Sequence, residues 1–259
     1  MIDIHSHILL NVDDGPETTE ETFQLFEQAI AEGITTIIST SHALHPLYHV
    51  PCHVVNEQIA QFQQEIDRRN MPLTLCLGHE VRLAGNIVEL YENGQLLTLA
   101  QSDYMLLELP SGFIPTYTSS IIYNLLTAGV TPIIAHPELN ATIAKNPTTL
   151  EQLIREGALA QITAGSLAGK FGKSIQQLSL QLVRSNLVHT YGSDVHNVKS
   201  RPFLFEKGLR FLEKEKQLDA IDVFLENNER IINNQPFIVY EPEDHFTKKS
   251  WQLFRAKKK

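Results

Sequence analysis

The sequence predicts an α/β protein built as a closed or nearly closed parallel (β/α) barrel of seven strands. Three observations carry this expectation. Short apolar runs alternate with amphipathic helical segments along the whole chain, which implies crossovers that return each strand to the same end of a parallel sheet. Seven such units follow one another with no repeat and no low-complexity linker. The length of 259 residues suits a single barrel of this kind.

The strand candidates are Met1–Ile4, Thr35–Ser39, Leu73–Leu77, Tyr104–Leu107, Thr131–Ala135, Ala160–Thr163 and Leu187–Tyr191. Helical patterns lie between them. In "TTEETFQLFEQAIAEG" the apolar Phe23, Phe26 and Ile30 share a face. Thr18 and Glu21 form a capping-box pair at its start, and Gly33 stands just past its end. Comparable helices are expected over about 54–69, 119–128, 149–156, 174–185, 203–213 and 219–227. The reading is one domain over 1–243, followed by a basic tail over 244–259.

Composition narrows the function classes. Hydrophobic residues make up 42 % and charged residues 20 %, an ordinary globular balance. No apolar run approaches the ~18 residues of a membrane-spanning helix, and the N-terminus carries no signal-peptide pattern. Cys52 and Cys76 do not make a disulfide framework, so a reducing cytoplasm is expected. The formal charge is −9, yet residues 244–259 hold six Lys or Arg against one Asp. The remaining 1–243 then carry 15 basic and 29 acidic side chains, a net of −14. Such a body is unsuited to nucleic acid, because phosphate contacts need clustered Lys and Arg.

Polar residues gather where the apolar runs end. His5 and His7 follow the first, His42 the second, Glu80 the third, Glu108 the fourth, His136 the fifth, and Asp194 and His196 the seventh. Asp14, in "NVDDG", can reach back over the same rim. Functional groups of βα barrels sit at the carboxyl ends of the strands, so these side chains are expected to converge. The i, i+2 pairs His5/His7 and Asp194/His196 each point to one side of an extended segment. Imidazoles mixed with carboxylates, without thiolates, suit a cluster of borderline divalent cations. Carboxylates so close together would otherwise repel and stay partly protonated. His45, His49, His53, His79, His189 and His245 have no convergent partner in the sequence. Cys76 and Arg82 stand at the C-x5-R spacing of thiol phosphatases. Cys76, however, lies in a strand-like run rather than a loop feeding a helix N-terminus, and Glu80 between them would repel phosphate.

The motifs "DIHSH", "DDGP", "TSH", "GHEVRL", "LLELP", "IIAHPE", "TAGSLAGKFG" and "GSDVHN…RP" occur in this order. Together they resemble the polymerase-and-histidinol-phosphatase (PHP) superfamily. More narrowly, they resemble the manganese-dependent protein-tyrosine phosphatases of Gram-positive capsule and exopolysaccharide operons. The resemblance implies a distorted seven-stranded barrel of PHP type holding three divalent ions, with Mn2+ expected and Fe or Zn also suited to the ligands. It assigns His5, His7, Glu80 and Asp194 to one ion. Glu80 bridges to a second ion held by Glu108 and His136, while Asp14, His42 and His196 hold the third. Arg201 matches the family's phosphate-facing arginine; Arg82 is a second candidate for the pocket or a supporting partner. The implied substrate is a phosphotyrosine protein, expected to be a bacterial tyrosine kinase that regulates polysaccharide synthesis. A small phosphoester such as histidinol phosphate, or a metal-bound regulator without turnover, are the alternatives.

Two departures from the family pattern stand out. The family reads "HPER" where this chain has "HPEL", so Leu139 replaces an arginine. It also reads "SHA" where a second histidine commonly follows His42. Neither change removes a metal ligand. Losing one guanidinium beside a phosphate costs transition-state stabilisation on the order of 3 kcal/mol.

Overall fold

A computed structural model describes residues 1–243; the basic segment 244–259 lies outside the described residues. Nine strands are present among them: β1 (Ile2–Ser6), β2 (Thr36–Ser39), β3 (Ser41–Ala43), β4 (Thr74–Cys76), β5 (His79–Arg82), β6 (Tyr104–Glu108), β7 (Thr131–Ala135), β8 (Leu159–Thr163) and β9 (Thr190–Gly192). All pair in parallel, in a three-stranded sheet β1-β2-β4 and a six-stranded sheet β3-β5-β6-β7-β8-β9. The seven-strand expectation is corrected here. The expected runs Thr35–Ser39 and Leu73–Leu77 form β2 and β4, and each is followed after a break by a further short strand, β3 or β5, that transfers the chain from one sheet to the other.

The breaks have local causes. Thr40 separates β2 from β3, and its Oγ1 accepts from Ser6 N–H (3.0 Å) while its own N–H donates to Ser6 O (2.8 Å). Leu77 and Gly78 separate β4 from β5. A Cβ on Gly78 would sit 2.9 Å from Ile38 Cγ2 and 3.0 Å from the Ser39 carbonyl, so only glycine permits this bend. Beyond the breaks, β3 and β5 pair with His42 against Glu80, which makes two of the expected ligands direct neighbours.

Strands β6 and β8 are buried along their whole length, as parallel strands covered on both faces must be. Their side chains alternate between two cores. Ile4, Ile38, Leu106 and Ile133 fill the inside of the curled sheet, with Ile231 of helix Leu218–Ile232 packed against them. Ile37, Leu107, Ile134 and Ile162 belong to the larger core under the surrounding helices.

Helix Thr19–Ala31 begins where the capping pair placed it, with Glu21 N–H donating to Thr18 Oγ1 (3.2 Å). Phe23 and Phe26 pack edge-on against Phe62 of helix Cys52–Arg68, with ring centroids 5.4–6.0 Å apart. The helix expected to end near residue 227 runs on to Ile232. Three short helices, Ile87–Glu92, Ala141–Lys145 and Ala164–Leu167, have too few turns to show a periodic pattern.

The first and last strands meet at a seam with little ladder. A single bridge joins Ser6 to Val195. Asp194 N–H donates to the His5 carbonyl, and His7 N–H to the Val195 carbonyl, both at 2.8 Å. The buried Asp3 carboxylate accepts from Ser193 N–H (2.8 Å) and Ser193 Oγ (2.6 Å). Asn228 completes the clasp, donating to the carbonyls of Ile2 (2.9 Å) and Tyr191 (2.8 Å). Residues nearly two hundred positions apart thereby share one rim.

Candidate metal centre

All nine expected ligands converge at the carboxyl ends of the strands. His136 and Asp194, which directly or nearly follow β7 and β9, have left-handed backbones with φ of 32° and 55°. Such a conformation costs a non-glycine residue about 1–3 kcal/mol. It turns each side chain off the strand line and into the cluster.

Glu80 is the hub. Its Oε1 lies 2.8 Å from His136 Nε2 and 3.5 Å from His5 Nε2. Its Oε2 lies 3.1 Å from His42 Nδ1 and 3.3 Å from His7 Nε2. Asp14 Oδ1 stands 3.1 Å from His196 Nε2 and 3.4 Å from His42 Nε2. Asp194 Oδ1 is 3.5 Å from His5 Nε2 and 3.6 Å from His196 Nδ1. Three groups offer ligand atoms within 4.8 Å of one another: His7, Asp14, His42 and His196; His5, His7 and Glu80; His42, Glu80 and Glu108. The last group brings His42 to Glu108, where the family pattern placed His136.

The charges answer one another. Burial would push the Glu80 carboxyl up, but His5, His136 and His42 hold it well below the ordinary glutamate range. Asp194 is likewise held low against burial by His5 and Arg201, and Asp14 by His196 and His42. Burial presses His136 down, yet Glu80 lifts it to about 9. Burial and His7 press on His42, and Asp14 with Glu80 outweigh them, again to about 9. His196 goes the other way: burial and His7 take it to about 4.

The donor set fits divalent cations. His5 Nε2, His7 Nε2, His42 Nδ1 and Glu108 Oε2 are buried without a hydrogen bond. Buried polar atoms left unpaired cost ~1–3 kcal/mol each. Four of them facing one cluster of carboxylates and imidazoles is an arrangement that cations of borderline hardness complete.

Two supporting residues escaped the sequence reading. Asp13 Oδ2 lies 3.0 Å from His7 Nδ1 and also accepts from His42 N–H (3.1 Å). Gln161 Oε1 lies 2.9 Å from His5 Nδ1. A partner on Nδ1 fixes the ring and leaves Nε2 as the ligand atom. The signals were present: Asp13 is the other acid of "DDG", and Gln161 is the lone amide in the apolar "LAQIT".

The two arginines part company. Arg201 lines the cleft, donating from Nη2 to Asp194 Oδ2 (2.7 Å) and from Nη1 to His196 Nε2 (2.8 Å). A turn built on Asn197, whose Oδ1 accepts from Lys199, Ser200 and Arg201 N–H, presents it there. Arg82 instead pairs with Glu108 (2.7 Å) and stands outside the lining of the cleft, which makes it a supporting partner. Cys76 ends a strand, and burial pushes its thiol up, away from the thiolate a thiol phosphatase needs.

Of the remaining histidines, His49, His79 and His189 each accept a backbone N–H at Nδ1. His45 stacks on His42, with centroids 4.6 Å apart. His245 lies outside the described residues. The cleft over the cluster measures about 320 Å³ and is lined by His42, Glu80, His136, Asp194, His196 and Arg201 together with Tyr48, Leu109 and Leu139. A larger hollow of about 510 Å³ beside His189 contains none of the nine.

A curled parallel sheet with imidazoles and carboxylates clustered at its carboxyl rim, and a guanidinium at the mouth, defines a metal-dependent hydrolase. Residues 1–233 match the model of the capsular polysaccharide synthesis family CpsB/CapC, and the chain belongs to that family. It is 37 % identical to the tyrosine-protein phosphatase YwqE of Bacillus subtilis over 98 % of this chain and 100 % of that one. It is 30 % identical to the tyrosine-protein phosphatase CpsB of Streptococcus pneumoniae over 91 % and 99 % of the two chains. A crystal structure from the pair YwqE and CpsB, described as unique metal-dependent tyrosine phosphatases, superposes with a TM-score of 0.91 at 38 % identity, covering 94 % of this chain and 98 % of that one.

Proposed function

We propose that this chain is a metal-dependent protein-tyrosine phosphatase, with its catalytic centre in the cleft over Glu80. The observation that carries the proposal is the convergence of nine imidazole and carboxylate ligands with Arg201 at one rim, in a chain whose relatives bear that activity in their names. His7, Asp14, His42 and His196 form one ligand group. His5, His7, Glu80 and Asp194 form a second, and Glu80, Glu108, His136 and His42 surround a third. Mn2+ is the ion we assign, although Fe and Zn match the same donors. Divalent ions held there supply charge for the phosphoryl oxygens and a water acidic enough to attack near neutral pH.

The chain's own residues do the rest. Arg201 faces the phosphoryl group and offsets the charge that builds in the transition state, where positioning and electrostatics dominate. Asp13 and Gln161 hold His7 and His5 in the ring orientation the centre requires. A tyrosine leaving group with pKa ~10 departs without strong help from a general acid. We assign residues 1–243 to one catalytic domain of the cytoplasm. Its substrate is a phosphotyrosine protein, the tyrosine kinase that regulates capsule or exopolysaccharide synthesis. No helix among the described residues is long and apolar enough to cross a membrane.

The test is hydrolysis of para-nitrophenyl phosphate and a phosphotyrosine peptide with Mn2+, with EDTA, and with Cys76→Ser. Turnover that needs metal, survives Cys76→Ser and favours the peptide over histidinol phosphate is the expected result. A metal-loaded protein that hydrolyses none of these would be a regulator, and Leu139→Arg the first change to make.

A further inference from the structure

The loop after β3 sets two further aromatic rings, His45 and Tyr48, beside His42 of the metal centre. The rings of His42, His45 and Tyr48 lie nearly parallel, with interplanar angles of 22°, 8° and 16° and centroids 4.6–5.8 Å apart. His42 belongs to β3, and His45 and Tyr48 both lie against its ring and line the cleft beside the candidate ligands. The loop is braced from within. Tyr48 N–H donates to the His45 carbonyl (3.2 Å), Val50 N–H to the His42 carbonyl (2.9 Å), and Leu44 N–H to His49 Nδ1 (3.2 Å). A wall fixed in advance orders nothing further when a ligand arrives.

Leu109 and Leu139, from the ends of β6 and β7, line the same cleft and are apolar. Parallel rings and aliphatic side chains together suit a flat uncharged group extending outward from the phosphoryl position. A phenyl ring has that shape and polarity. An aminoalkyl phosphate offers no flat face to these rings, and the cleft carboxylates that would meet its ammonium, Asp14 and Glu108, belong to the metal centre.

We infer that Tyr48 and His45, with Leu109 and Leu139, form an aryl slot that selects aryl over alkyl phosphomonoesters. The inference rests on the phosphatase reading and assigns its substrate selectivity to named residues outside the ligand set. In this arrangement Leu139 is a wall of the slot. The phosphoryl group is then left to the metal centre and Arg201.

The experiment compares the metal-loaded parent with Tyr48→Ala and Tyr48→Phe on phenyl phosphate, a phosphotyrosine peptide and a phosphoserine peptide. Tyr48→Ala is expected to raise KM for both aryl substrates about 10-fold, from the loss of one aromatic contact and its burial. Its kcat should stay within about twofold, its KM for phosphoserine should not move, and Tyr48→Phe should behave as the parent. Equal losses on aryl and alkyl substrates, or no change on either, would overturn the slot. So would loss of bound metal in Tyr48→Ala, since Tyr48 would then act through His42. Calorimetric titration with phenylphosphonate against methylphosphonate reads the slot without turnover. A parent that prefers the phenyl compound, a preference lost in Tyr48→Ala, supports the slot even if no substrate is hydrolysed. In that case the phosphatase reading alone fails.

Discussion

The centre depends on residues that touch no ion. Asp13 joins His7 Nδ1 to the backbone N–H of His42 and Gly15 through one carboxylate. Removing such a support costs metal affinity 10–100-fold in comparable sites. Asp13→Ala is therefore expected to weaken Mn2+ binding by ~10–100-fold, read by competition with a chelating dye, while Asp13→Asn loses less because its amide oxygen can still accept. Arg201→Ala acts on a different quantity. With the metal sites saturated it should lower kcat/KM by about 10²–10³, the cost of one electrostatic donor at the reacting group. Arg82→Ala removes the cation paired with Glu108 and should alter metal binding before turnover.

The decisive elements are the two interrupted strands. Continuous β2–β3 and β4–β5 runs would lie in one sheet, and His42 and Glu80 would not sit where the second sheet begins. Gly78 makes one interruption possible, because a Cβ would meet Ile38 Cγ2 and the Ser39 carbonyl at 3.0 Å or less. Gly78→Ala is expected to destabilise the fold by about 1–3 kcal/mol, the usual cost of overpacking, as a lowered urea midpoint. An unchanged midpoint would mean that the bend relaxes freely. Seven of the nine strands and most helices were legible in the sequence, because apolar runs and capping residues are local signals. Strands β3 and β5 were not. The expected runs stop at Ser39 and Leu77, and only the backbone shows that the chain continues past each break with new hydrogen-bonding partners. Of the site, the nine residues that meet at the rim were legible, eight from their place after apolar runs and Asp14 from its loop, whereas their grouping and the contacts of Asp13 and Gln161 were not.

At the scale of the molecule, stability and the metal centre are linked. Ligands that bind only the folded chain stabilise it by mass action, by ~2.7 kcal/mol at a hundred times Kd. Chelation by EDTA should lower Tm by about 5–10 °C for a chain of this size, with recovery on adding Mn2+. An independent pH effect comes from His189, which is buried, belongs to none of the ligand groups and is held down to about 4 by loss of solvent. The unfolded chain takes up that proton near pH ~6.5, the folded chain only near 4. Stability is present in full above ~6.5 and is lost as pH falls towards 4, by ~3 kcal/mol. His189→Asn keeps an acceptor for Ala160 N–H and should lose that much less stability between pH 7 and 4 in metal-free urea titrations.

What the sequence by itself determined is the alternation of strands and helices, the residues that gather at the rim and the family. These are written in short-range patterns, since a strand, a cap or an imidazole after an apolar run is specified within a few residues. Only the tertiary structure decided how the rim closes. The β1–β9 seam is held mainly by the side chains of Asp3 and Asn228 rather than by a ladder. The β3-β5-β6 pairing decided that His42 comes near Glu108 and that Arg82 lies against Glu108, outside the lining of the cleft. Each of these depends on where two distant segments meet, a distance through space that no spacing along the chain encodes.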